Sequence, residues 1–178
     1  WWWRWWWNIG ICTINWWRWW FRNHLRSISK YLKMAHFAKI GLNNIVEQVV
    51  VVRNIDTMTE GGIEQESIGV AQLVEDTGHS TWKKCSFNTR GNTHLLGGTP
   101  FRANFPTIGW TYDSTNDIFT QPRPTDKDGD LCASWTLNTT TGLYEPPSSP
   151  PNYMHYWDES AYQSDNTKGW VDNSAAYS

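Results

Sequence analysis

Trp110-Thr111-Tyr112-Asp113 leading to Ile118-Phe119, and Trp135-Thr136-Leu137-Asn138 leading to Leu143-Tyr144, are two settings of one pattern. In each, an Asp or Asn follows the tryptophan by three residues, and a second aromatic follows it by nine. Strand alternation puts Trp110 with Tyr112, and Trp135 with Leu137, on one face. The polar stretch after Asp113 or Asn138 then closes a hairpin onto the aromatic partner strand. On this reading Trp110 packs across its hairpin toward Phe119, and Trp135 toward Tyr144. A looser third unit runs from Tyr156-Trp157-Asp158 through a longer loop to Lys168-Gly169-Trp170-Val171. Pro122 and Pro124 follow the first unit, and Pro146 and Pro147 the second, so these strands do not continue as central ladder strands. The C-terminal half therefore reads as small hairpin modules on Pro-rich linkers, with Pro146 to Pro151 the clearest hinge.

Working outward toward the N-terminus, Ala35 to Ile40 reads as a strand, and Gly41-Leu42-Asn43-Asn44 as a tight turn in which Asn accepts positive φ. Ile45 to Val52 is a β-branched run, apolar on both faces after Gln48, which predicts a strand central in its sheet. The period then changes. Ile63, Val70, Leu73 and Val74 recur near helical spacing, giving a helix from Ile63 to Thr77 stopped by Gly78 and weakened by Gly69. Thr81 to Phe87 alternates as a strand, and Asn88 to Asn104 reads as a long irregular loop. The fold class is a β-rich α+β protein: an N-terminal hairpin or sheet with one helix, followed by a string of C-terminal β-hairpins. Two domains are expected, a small α+β domain over 34–105 and hairpin repeats over 106–178.

Residues 1–33 differ from the rest. They hold ten of the fifteen tryptophans, six Lys or Arg and no acidic residue. Tryptophan has one codon, so such runs are what a repetitive GT-rich stretch yields in translation. The segment is read as a Trp-rich leader outside the native protein, with Met34 as the start. The rival reading is an interfacial membrane anchor, with Arg4, Arg18, Arg22 and Arg26 facing anionic lipid. It has neither the aliphatic core of a signal peptide nor an uninterrupted apolar run that would span a bilayer.

The remaining body carries nine basic and seventeen acidic residues, a net charge of −8. No basic stripe exists to displace counterions, which argues against nucleic-acid binding. Cys85 and Cys132 have no CxxC spacing, and buried thiols are favoured over a Cys85–Cys132 bridge. Asp126-Lys127-Asp128-Gly129-Asp130 offers clustered oxygens, but an EF-hand needs Gly at its sixth position and Glu at its twelfth, where Leu131 and Leu137 stand. It is read as a solvated acidic turn, a weak structural cation site being the alternative. Cys85 with His79 and His94 forms no nucleophile arrangement, the five histidines have no zinc spacing, and Gly97-Gly98 lacks a P-loop's lysine. No catalytic residue, metal ligand or cofactor is assigned.

Met34-Ala35-His36-Phe37-Ala38, Ser86 to Gly91, Gly97 to Arg102, Ile108 to Asp113 and Ser134 to Leu137, in that order, resemble small proteins of marine tailed phages, the cyanophages and their relatives. The resemblance runs from Met34 to Trp170; the long Ser- and Asn-rich last hairpin departs from the pattern. The family has no established biochemical activity, so no catalytic residue carries over. What the resemblance implies is a non-enzymatic accessory structural protein of the virion, made in the host bacterial cytoplasm and associated with the tail. Its partners would be other virion proteins, with no membrane contact for 34–178. The alternative is a glycan- or receptor-binding tail module whose Trp-Asp/Asn hairpin tips make the contact. The candidate binding residues are Trp110, Tyr112, Trp135, Tyr144, Trp157 and Trp170, which either pack within the fold or stand out as aromatic platforms.

Overall fold

Small side chains flanking one large ring decide where the sheet has its centre. The computed structural model describes residues 34–177; the Trp-rich leader lies outside the described residues. Strand β1 (Met34–Ile40) buries Ala35, Phe37, Ala38 and Ile40, and lies between β2 (Val46–Arg53) and β3 (Trp82–Cys85) in the order β2-β1-β3. β1 runs antiparallel to β3, with His36 opposite Cys85 and Lys39 opposite Trp82. The turn before β2 places Asn43 and Asn44 at positive φ, as the sequence predicts.

The expectation of a central β2 is corrected. β2 is an edge strand, and only Val46 along it is fully buried. Its valines reflect the fit of β-branched side chains to a half-buried pleated surface, not burial on both faces. The start of its outer edge is covered: Val46 N–H donates to the Trp110 carbonyl at 2.7 Å, and Gly109 N–H donates back to Val46 at 2.9 Å.

Two compact units are present among the described residues. One comprises 34–35 and 51–78. It holds a 3₁₀ turn over Asn54–Thr57, a chain reversal in which Met58 bridges Glu64, and helix α1 (Glu66–Thr77). α1 begins three residues later than the periodicity predicts, because Ile63 is engaged in that reversal and donates to the Thr59 hydroxyl. It ends as predicted, at Gly78 in the left-handed region with its N–H on the Val74 carbonyl. Gly69 is buried.

The other unit comprises 36–50 and 79–177, so position 105/106 lies inside it. The expected irregular loop contains a small hairpin, β4 (Thr89–Arg90) with β5 (Thr93–His94), turned by Gly91 and Asn92, both at positive φ. Three more hairpins follow: β6 (Thr111–Asp113) with β7 (Ile118–Thr120), β8 (Thr136–Asn138) with β9 (Leu143–Glu145), and β10 (His155–Trp157) with β11 (Trp170–Asp172). Tyr112 opposes Phe119 and Leu137 opposes Tyr144. The principal core joins β1, β2 and β3 to the first hairpin through Ala38, Ile40, Val46, Cys85, Tyr112 and Phe119.

The Asp or Asn of each repeat closes its loop. Asp113 Oδ1 accepts from Thr115 and Asn116 N–H, and Asn138 Oδ1 accepts from Thr140 and Thr141 N–H. In the third module Asp158 caps helix α2 (Glu159–Ser164), its Oδ1 accepting Ala161 N–H at 2.7 Å. Aligned on that residue, Trp157 and Trp170 stand where Tyr112 and Phe119 stand in the first hairpin, and the ladder is extended by Asp158 N–H on the Gly169 carbonyl. Trp157 is thus the equivalent of Tyr112, not of Trp110.

Candidate functional site

The six candidate aromatics divide into three settings. Tyr112 is buried, with its ring 5.4 Å from that of Phe119. Lys83 and Arg102 stand over the Tyr112 ring, and its hydroxyl donates to Asp117. Burial raises the Asp117 pKa, but the Tyr112 hydroxyl and the Arg102 guanidinium outweigh it and hold the carboxyl below its ordinary range. The partner of Phe119 across the hairpin is therefore Tyr112, while Trp110 is half-buried against the same core.

Trp135, Trp157 and Trp170 form one cluster, with ring centroids 5.1 to 6.3 Å apart, and Tyr162 lies 5.1 Å from Trp157. Trp135 thus packs on the third module, not on Tyr144 as the repeat suggested. Tyr144 instead lies under Arg123, 4.7 Å from its ring centre. Arg123 also donates to the carbonyls of Cys132, Ala133 and Trp135. Trp170 donates its indole N–H to the Ser148 carbonyl at 2.9 Å, which fastens the Pro146–Pro151 linker predicted to be a hinge.

Beneath the cluster lies Glu159, which sequence reasoning did not single out. Its buried carboxylate accepts Ser134 N–H at 2.9 Å, Ser134 Oγ at 2.7 Å, Trp157 Nε1 at 2.9 Å and Gln163 Nε2 at 2.7 Å. Burial alone would raise its pKa, and these donors hold it below the ordinary range. Asn104 plays a similar part in the first two hairpins. It donates to the carbonyls of Phe119 and Thr141 and accepts Gly91 N–H, at 2.7 to 2.8 Å. Neither residue carries a sequence signal, since each also depends on partners far along the chain, Ser134 for Glu159 and Phe119 and Thr141 for Asn104.

The hairpin tips are polar, formed by Ser114 to Asp117 and Thr139 to Gly142, while Trp110 and Trp135 precede the first strands. In these two hairpins the aromatics therefore lie in or before the strands, whereas in the third Trp157 and Trp170 directly flank the loop. Aromatic surface is also exposed elsewhere, at Tyr153 and in an open groove of about 280 Å³ whose walls include Phe87, Arg90, Leu95, Phe105, Trp110 and Gln121. Phe87 meets Phe105 edge-on at 5.3 Å and 74°, and His36 lies against both rings. Partial burial lowers the His36 pKa.

The acidic turn is closed from within. Asp126 Oδ1 accepts the N–H groups of Asp128 and Asp130, and Oδ2 accepts that of Glu159. Among the described residues, no group of three or more His, Cys, Asp or Glu could hold a metal ion. Cys85 and Cys132 are both buried and no disulfide joins them; burial and the nearby Glu159 and Asp126 raise the Cys132 thiol. His79 lies 2.8 Å from the Ile40 carbonyl, and His94 Nδ1 accepts from Leu96 and Gly98 N–H. Among the described residues, no helix is long and apolar enough to cross a membrane. No family model matches the chain, and neither does any curated protein or solved structure.

Proposed function

We propose that this chain is a non-enzymatic accessory structural protein of a tailed-phage virion, tail-associated and made in the host bacterial cytoplasm. The observation that supports this reading best is how the apolar side chains are distributed. The aromatics of the hairpin modules are largely spent on one another, while Leu42, Phe87, Leu95, Leu96 and Ile108 stand exposed on the same unit. Apolar surface left open in this way is what a protein partner covers. The resemblance of the motif order to tailed-phage proteins supports other virion proteins as the partner class. Leu95→Asp with Leu96→Asp tests the reading, because both side chains are more than half exposed (64 and 77 %) and their loss leaves the core intact. The double variant is expected to keep the wild-type melting temperature and to be depleted from assembled particles. Undiminished incorporation would contradict the reading.

A second reading, a glycan- or receptor-binding tail module, is favoured by one observation. Aromatic and planar polar side chains converge on the open groove of Phe87, Phe105 and Trp110. In this reading the contact surface is the groove, in place of the hairpin tips.

A further inference from the structure

We propose that this groove binds a carboxylate-bearing pyranose, a uronic-acid-type residue of a surface polysaccharide, with Arg90 pairing the carboxylate. The inference rests on the glycan reading above and gives it a site and a ligand class.

Three features converge there. Phe87 is 64 % exposed and lines the groove, with Phe105 edge-on to it at 74° and His36 stacked on it at 6.0 Å, so a large part of its ring surface is left for a ligand. The faces of aromatic rings are electron-rich and attract the polarised C–H groups on the flat side of a pyranose.

The second feature is a set of uncommitted donors. Gln121 uses its backbone N–H on the Gly142 carbonyl, while its side-chain amide has no partner among the described residues. The Trp110 indole N–H is likewise uncommitted, although its carbonyl is engaged by Val46. Asn104 also borders the groove, but its amide is consumed by Phe119, Thr141 and Gly91, so it shapes the floor and does not bind.

The third feature is charge. Arg90 is the one charged residue among those lining the groove; it is exposed on β4 and forms no ion pair among the described residues. On a chain whose body is otherwise acidic, an unpaired guanidinium beside an aromatic face selects an anion, and its planar fork suits a carboxylate. A proline-rich peptide fits less well. Phe87 and Phe105 stand at 74° and do not form the parallel aromatic walls between which a polyproline helix lies.

The test uses the full chain and saturation-transfer NMR with three probes: methyl glucuronide, methyl glucoside and decaproline. The glucoside has the same ring with a hydroxymethyl group in place of the carboxylate. Methyl glucuronide is expected to bind, with saturation received by its ring C–H protons, and to bind more tightly than the glucoside. Arg90→Gln, at an exposed position without a partner, is expected to keep the fold and to weaken the glucuronide about tenfold, to the level of the glucoside. Phe87→Ala is expected to weaken both sugars. Absence of glucuronide binding, equal binding of the two glycosides, an unchanged affinity in Arg90→Gln, or binding of decaproline alone would each overturn the proposal. Adsorption of the chain to host cells without any glycoside binding would overturn the groove site and leave the receptor reading standing. Loss of both would remove both.

Discussion

Glu159 is buried with four donors on its two oxygens and no cation among them. Such a carboxylate is tolerated because protein N–H and O–H groups replace its water. Glu159→Gln keeps the shape but turns an amide N–H₂ toward groups that are themselves donors. It is expected to cost about 1–3 kcal/mol, read as a lowered thermal midpoint. The pH dependence follows from the direction of the shift. A carboxyl with a depressed folded pKa binds fewer protons folded than unfolded, so its contribution is complete above about pH 4.3 and is lost as pH falls through the folded value. The gap between wild type and Glu159→Gln should therefore narrow on acidification; a gap independent of pH would refute the charge as its source. The indoles offer a second contrast. Trp157 donates to Glu159, whereas the buried Trp135 N–H has no acceptor among the described residues. Trp157→Phe is expected to destabilise more than Trp135→Phe, by about 1 kcal/mol or more. Equal melting temperatures would contradict that assignment.

The first two hairpins meet at a glycine. Gly142 has φ +67°, and a Cβ on it would collide with the Phe119 carbonyl and the Asn104 amide, where Gln121 N–H also reaches the Gly142 carbonyl. Gly142→Ala is expected to cost more than about 1 kcal/mol and to speed hydrogen exchange at Gln121 N–H. Unchanged exchange there would mean the hairpins do not depend on this contact. The hairpins themselves were legible because their signal is local: aromatic, Asx and turn residues at fixed spacing. So was the stop of α1 at Gly78. What local spacing does not carry is which neighbour a side chain meets. Hence Trp135 turns to Trp157 and Trp170 instead of Tyr144, and β2 takes the sheet edge despite its valines. Helix α2 was missed because it is six residues set into a hairpin loop, announced only by its cap Asp158. The groove was invisible for the same reason. Its walls come from β4, the residues flanking the β4–β5 hairpin, the segments flanking β6 and β7, and the β9 strand, and among them only Trp110 was a binding candidate in the sequence.

For the whole molecule, the described body combines an acidic charge, aromatic hairpins packed upon themselves and an exposed apolar surface on the unit that carries them. An acidic net charge disfavours non-specific phosphate contacts, so the proposed association would rest on specific apolar and polar contacts. Such contacts are what the proposed place in a virion requires. Quantitative mass spectrometry of gradient-purified phage particles is the direct measurement. Peptides from 34–177 should co-purify with the particles at a fixed ratio to the other virion proteins, and should persist through a high-salt wash. Peptides confined to the soluble lysate and absent from washed particles would contradict the assignment to the virion.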